Sequence, residues 1–138
     1  MKEVFADTFF WTALANPRDR WHEQAVAFRD SAAGTVLVTT DEVLVELAAN
    51  LAGAGPQVRP FLADSIESIL KDPGVRVIPQ SRASLLAGLQ LYRDRPDKSY
   101  SLTDCISMQV MRKRNIIEAL TADHHFTQEG FRVLFRKQ

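Results

Sequence analysis

The feature that most constrains this chain is its alternation of short apolar segments with longer amphipathic ones. Five short segments, at residues 4–6, 36–38, 75–78, 116–121 and 131–135, are rich in β-branched or aromatic residues and bounded by turn formers. Between them, apolar residues recur at helical spacing. Phe9, Phe10, Trp11 and Leu14 predict one helix, and Ala25, Phe28 and Ala32 predict a second over residues 21–33 that Gly34 ends. Leu44, Leu47, Ala48 and Leu51 mark a third, capped by Thr39 or Thr40. A fourth spans 58–71 through Phe61, Leu62, Ile66, Ile69 and Leu70, and a fifth opens at Ser81 and carries Leu85, Leu86, Leu89 and Tyr92. A sixth begins after Ser101 and covers 102–114, and a short seventh lies around 124–129 before Gly130. Asn16-Pro17-Arg18-Asp19, Gly53-Ala54-Gly55-Pro56 and Asp72-Pro73-Gly74 are turns, and 93–100 is a polar loop broken by Pro96.

Strands that alternate with helices build parallel βαβ units, whose crossovers are almost always right-handed. The expected fold is therefore an α/β sandwich with helices on both faces of the sheet. At 138 residues, with no internal repeat or long linker, the chain reads as one domain over 1–138. In such sheets, ligands sit outside the carboxyl ends of the strands, where strand order reverses. That rule picks out Asp7 and Asp123, each just past a predicted strand.

Charge and cysteine content narrow the function classes. Lys plus Arg and Asp plus Glu number 17 each, so the formal net charge is zero. Avid non-specific binding to a polyanion needs a basic excess, which is lacking here. The single cysteine, Cys105, cannot form an internal disulfide or build a thiolate metal site, and it fits a reducing cytoplasm. Glu3 and Asp7 interrupt the N-terminal apolar stretch, so no secretory leader is expected, and no run approaches the ~18 apolar residues of a membrane span.

Four acids stand out, each with an ordinary structural explanation beside it. Asp7 lies where an N-cap would, Asp123 precedes a short helix, and Asp104 completes a capping-box spacing with Ser101. Glu46 is the hardest to explain away, because it falls at the edge of an apolar helix face where an unpaired carboxylate is costly. All four fall near one edge of the expected sheet and would repel one another unless cations sat between them. Carboxylate oxygens are the ligands that hard divalent cations require, and Mg²⁺ keeps waters and accepts phosphate oxygens. Such ions can activate a water for in-line displacement at phosphorus.

Four segments carry a family resemblance. Phe5-Ala6-Asp7-Thr8, Thr40 with Val43-Leu44-Val45-Glu46, Tyr100-Ser101-Leu102-Thr103-Asp104-Cys105, and Leu120-Thr121-Ala122-Asp123-His124-His125-Phe126 with Gly130-Phe131 resemble the PIN-domain ribonucleases. The resemblance is greatest to VapC-like toxins of bacterial toxin–antitoxin pairs, and it spans essentially the whole chain. It implies a three-layer α/β/α sandwich around a five-stranded, mostly parallel sheet. It further implies Mg²⁺- or Mn²⁺-dependent hydrolysis of single-stranded RNA, with Asp7, Glu46, Asp104 and Asp123 as the metal-binding catalytic set. Thr8, Ser101 or Thr103 would assist through a hydroxyl. A cognate VapB-like antitoxin, a homodimer and a cytoplasmic location follow from the same resemblance. Related domains also process RNA outside toxin–antitoxin pairs, which is the alternative function.

Other residues have plainer readings. Consecutive His124 and His125 point ~100° apart on a helix and make a poor chelate, although His125 could reach the pocket as a substrate contact. His22 reads as a helix-surface residue, Asp41 and Glu42 as first-turn acids favoured by the helix dipole, and Asp97 as a solvated charge. Arg112, Lys113 and Arg114 suit a helix C-terminus. Arg18, Arg20, Arg132, Arg136 and Lys137 are further candidates for phosphate contact, with nothing in the sequence to choose among them. A phospho-receiver module would want an acidic pair after the first strand, and an Asp-x-Asp phosphatase an aspartate at position 9; Thr8 and Phe9 stand there instead. A non-catalytic scaffold would have no need of the complete acidic set.

Overall fold

The computed structural model describes residues 1–136. Five parallel strands, β1 (Lys2–Ala6), β2 (Thr35–Thr40), β3 (Val75–Ile78), β4 (Glu118–Leu120) and β5 (Arg132–Val133), form one sheet in the order β3-β2-β1-β4-β5. Flanking it are α1 (Thr8–Ala15), α2 (His22–Ser31), α3 (Asp41–Asn50), α4 (Val58–Lys71), α5 (Arg82–Asp94), α6 (Leu102–Lys113) and α7 (His124–Gln128). The result is the expected three-layer α/β/α sandwich. No helix among the described residues is long and apolar enough to cross a membrane.

The strand order positions everything else. The chain builds outward from β1 to β2 and β3, then returns to the far side of β1 for β4 and β5. The reversal falls between β1 and β4, paired through Phe5 with Ala119 and Ala6 with Leu120. Connections leave in opposite directions there, opening a crevice beyond the carboxyl ends of both strands.

Local chemistry sets most boundaries. The Thr40 hydroxyl accepts from the Val43 amide at 3.1 Å and caps α3. Thr39, the alternative cap, is fully buried and has another task. Its hydroxyl donates to the Ala6 carbonyl at 2.8 Å and accepts from the Trp11 indole at 3.2 Å, tying the end of β1 to α1. After α6 the chain turns on Asn115, whose φ of 58° is left-handed, and the Ile116 amide reaches back to the Met111 carbonyl at 2.8 Å. Asparagine tolerates that backbone region better than most residues. Gly88 lets α5 approach α6, since a Cβ there would lie 2.4 Å from Ile106 Cγ1.

Several expected boundaries shift: β1 and β2 are longer, running Lys2–Ala6 and Thr35–Thr40, and β4 shrinks to Glu118–Leu120. Helix α2 ends at Ser31, short of Gly34, and α5 takes in Arg93 and Asp94 before Pro96 stops it. Strand β5 keeps only two residues, because its pairing to β4 slips. Leu134 donates to the Ala119 carbonyl in register, but Phe135, one residue on, already reaches Thr121. The slip turns Phe135 into the core beside Phe9, Phe10 and Trp21. His22 is a correction too: it is half-buried, with Nδ1 2.7 Å from the Ala13 carbonyl, and it links α1 to α2 across their turn.

Candidate active site

A cleft of about 520 Å³ opens at the strand-order reversal, and all four acids line it. Asp7 comes from the β1–α1 junction, Glu46 from α3, Asp104 from α6 and Asp123 from the β4–α7 junction. Thr8, Thr12, Asp19, Arg20, Trp21 and Asn50 complete much of its wall.

Asp7 precedes α1 but does not cap it, for its carboxylate accepts no bond from the helix's N-terminal turn of the kind a cap makes. It is 5% exposed. Burial, reinforced by the Asp104 charge and to a lesser degree by Glu46, raises its carboxyl to about 7, against an ordinary 3.8. The Thr8 amide and the Thr121 hydroxyl hold it back from rising further. Thr121 has a second contact, accepting from the Asp123 amide at 3.0 Å, so one buried hydroxyl braces two of the acids. Its sequence signal was slight, since a threonine at a strand end is common.

Asp104 keeps its structural role and faces the cleft as well. Its amide donates to Ser101 Oγ at 3.0 Å while its Oδ2 accepts from the Ser101 amide at 3.1 Å, a complete capping box. Burial still raises this carboxyl, with the Asp123 and Glu46 charges adding to it, although the Ser101 amide pulls it down. Glu46 is anchored rather than stranded, because Thr8 Oγ1 donates to its Oε1 at 2.6 Å. Asp123 caps α7 through the His125 amide, at 2.9 Å from Oδ1.

The two histidines converge more than helix geometry predicted. Nδ1 of His125 lies 3.2 Å from Asp123 Oδ1 and 3.6 Å from Asp104 Oδ2, and His124 Nδ1 lies 3.8 Å from Asp123 Oδ1. Despite these distances, His125 Nδ1 is buried and makes no well-aligned hydrogen bond. Among the described residues, Asp123, His124 and His125 are the one set of three ligating atoms within 4.8 Å of one another. No three of the four acids bring carboxylate oxygens that close. The donors around the cleft are thus mostly hard oxygens, with one orphaned imidazole nitrogen at the edge. Such a set suits Mg²⁺ or Mn²⁺.

A neighbouring cluster was not anticipated. Glu129, just after α7, has a side chain only 4% exposed. It accepts from Arg95 at 2.9 and 3.2 Å, from the Tyr100 hydroxyl at 3.1 Å and from Arg112. Burial alone would raise its carboxyl, but these donors outweigh that and hold it below the ordinary range. The cluster fixes the loop before α6 against α7, the two segments that deliver Asp104 and Asp123. It also occupies Arg112, while Arg114 pairs with Glu3 at 2.8 Å and Arg132 with Glu118 at 3.4 Å. Asp41 accepts from the Gln80 amide at 2.9 Å and so joins α3 to the segment after β3. Lys137, one of the phosphate-contact candidates, lies outside the described residues.

The fold is of the PIN type: a five-stranded parallel sheet in this order, with acids from four elements lining a cleft beyond β1 and β4. No protein-family model matches the chain, and no curated protein does. Among solved structures it is similar to VapC20 of Mycobacterium tuberculosis, described as a toxin that cleaves the sarcin–ricin loop. That match has 28% identity and a TM-score of 0.80, and covers 93% of this chain and 95% of that one. FitAcB from Neisseria gonorrhoeae matches in fold, at 17% identity and a TM-score of 0.63, over 96% of each chain. The chain has the fold of a VapC-like PIN domain.

Proposed function

We propose that the protein is a Mg²⁺- or Mn²⁺-dependent endoribonuclease that hydrolyses phosphodiester bonds in single-stranded RNA, acting as the toxin of a toxin–antitoxin pair. The observation that carries this reading is the convergence of Asp7, Glu46, Asp104 and Asp123 on one cleft at the strand-order reversal. The similarity to VapC20, described as a toxin that cleaves the sarcin–ricin loop, supports the substrate class.

In this reading the four carboxylates hold the metal, with Asp7 the most buried and Glu46 oriented by Thr8. When bound, the ion supplies an activated water and neutralises charge on the departing oxygen. Burial and the Asp104 charge favour the protonated form of Asp7, so a cation held beside it would favour loss of that proton to solvent. Thr8 holds Glu46 by a 2.6 Å hydrogen bond and Thr121 favours the charged form of Asp7, roles expected of groups that support metal ligands. No side chain need act as a covalent nucleophile. Cys105, the one thiol, is buried, and its value is pushed up to about 11 by that burial and by Asp104. A VapB-like antitoxin and a second copy of the chain complete the proposal as partners.

The test compares wild type with Asp7→Asn and Asp104→Asn on single-stranded RNA in Mg²⁺, Mn²⁺ or EDTA. Cleavage by the wild type alone, and only with metal, is expected. Cleavage in EDTA, or full activity in both variants, would overturn the mechanism.

A further inference from the structure

A cleft lined by four carboxylates repels the polyanion it is proposed to cut, so the strand needs a cation close by. Two arginines held against α7, Arg95 and Arg112, are already committed to Glu129. Arg114, which pairs with Glu3, and Arg132 and Lys2, which share Glu118, stand at the amino ends of the strands, away from the cleft. Arg20 differs in three respects. It is the one Lys or Arg that lines the acidic cleft, it is exposed, and it has no carboxylate partner among the described residues. Its guanidinium is nonetheless held, lying over the Trp21 ring 5.2 Å from the centroid.

The indole beneath it is itself fixed. Trp21 stacks on Phe135 with centroids 6.1 Å apart and planes 7° apart, and meets Phe9 edge-on at 5.5 Å. Its amide is bound by Asp19 Oδ1 at 2.8 Å. Core packing is thus transmitted through one aromatic ring to a charged group on the cleft wall. A guanidinium stacked on an aromatic face keeps its N–H donors directed outward in the plane, where they match the oxygens of a phosphodiester. Less side-chain freedom is lost on binding than for a free-swinging arginine.

We infer that Arg20, carried on Trp21, is the phosphate-binding residue of this cleft and grips the RNA backbone beside the bond to be cut. The inference rests on the ribonuclease reading and adds to it the residue that binds the strand. Arg20 contacts substrate, while Trp21 is a positioning residue that acts through it.

The experiment measures binding of a short fluorescein-labelled single-stranded oligoribonucleotide by anisotropy over a salt series. Every protein carries Asp104→Asn, so the RNA stays intact. Arg20→Ala is expected to weaken binding about tenfold, as loss of a charge-assisted hydrogen bond does. It is also expected to reduce the slope of log K against log salt by about 0.7, the value of one phosphate contact on a single strand. Arg20→Lys keeps the slope but loses a few-fold in affinity, for want of the planar stack. Trp21→Phe keeps both properties, and Trp21→Ala weakens binding without a full loss of slope. Arg20 is exposed, so thermal melts of its variants should match the parent. Affinity within twofold of the parent and an unchanged slope in Arg20→Ala would overturn the inference and leave the nuclease reading standing. A parent that binds no RNA, beside a wild type that cleaves none, would sink both.

Discussion

Asp7 should make the metal-free protein less stable as pH rises, in contrast to the usual behaviour of carboxylates. Its folded value of about 7 lies above its ordinary 3.8. A carboxyl shifted upward favours the folded state while it is protonated. That contribution is complete below about pH 4 and is lost as pH climbs through 7. The gap of roughly 3 units, at 1.36 kcal/mol each, puts the loss at about 4 kcal/mol by pH 8. For a domain of this size, that corresponds to a fall in Tm on the order of ten degrees. Asp7→Asn presents a neutral side chain of the same shape, so its stability should fall less than the wild type's between pH 5 and 8, the remainder coming from Asp104, which is also raised. In EDTA at pH 8 it should melt above the wild type, reversing the usual order of wild type and variant. Mg²⁺ should then raise the wild-type Tm at pH 8 and leave the variant nearly unmoved, because ligand binding to the folded state alone stabilises it. Differential scanning calorimetry in EDTA across that pH range is the assay. A wild-type Tm that is flat or rising from pH 5 to 8 would refute the assignment of a buried, charge-crowded Asp7.

Two other perturbations test the framework around the cleft. Glu129→Gln leaves Arg95 and Arg112 facing a neutral amide and should cost about 2 kcal/mol in a urea titration, less than for a fully buried pair because both arginines are partly exposed. Since the Glu129 carboxyl is held low, its contribution is present above its ordinary 4.5 and fades as pH falls, so wild type and variant should converge in acid. Gly88→Ala drives a methyl to 2.4 Å from Ile106 Cγ1 and should cost about 1–3 kcal/mol by parting α5 from α6. Ile106→Ala should rescue only part of that in a double-mutant cycle, because Ile106 backbone atoms also lie at 3.0 Å.

The architecture was legible in the sequence because its signals are local. Strand composition, helical spacing and caps at Thr40, Ser81 and Ser101 each depend on a few neighbouring residues, and each recurs in the structure. The four acids could be nominated for the same reason, two of them standing directly after strands. What stayed hidden depends on pairs remote in sequence. Thr8 meets Glu46 across 38 positions, Arg95 meets Glu129 across 34, and Arg114 meets Glu3 across 111. Nothing in Glu129 itself, after a short helix and before a glycine, announces that two arginines and a tyrosine will close on it. The basic residues were opaque on the same account: Arg20 and Arg112 look alike in sequence, and only their partners separate them. The reading of Asp7 as a cap failed because an Asp before a helix is ordinarily solvated, whereas here β1 carries it into the interior.

The return of the chain to the far side of β1 also sets the order in which the cleft can come into being. Residues of β1, α3 and α6 leave a ribosome before β4, and Asp123 is the last of the four acids to emerge. Strand β4 pairs with β1 across more than a hundred residues of intervening chain, a closure that can happen only once that whole stretch has been made. Until then Asp7 has no Thr121 beside it and Asp104 has no Asp123. A nascent chain of this protein therefore carries three of its acids before the fourth is made, and the cleft cannot be complete until β4 has paired with β1.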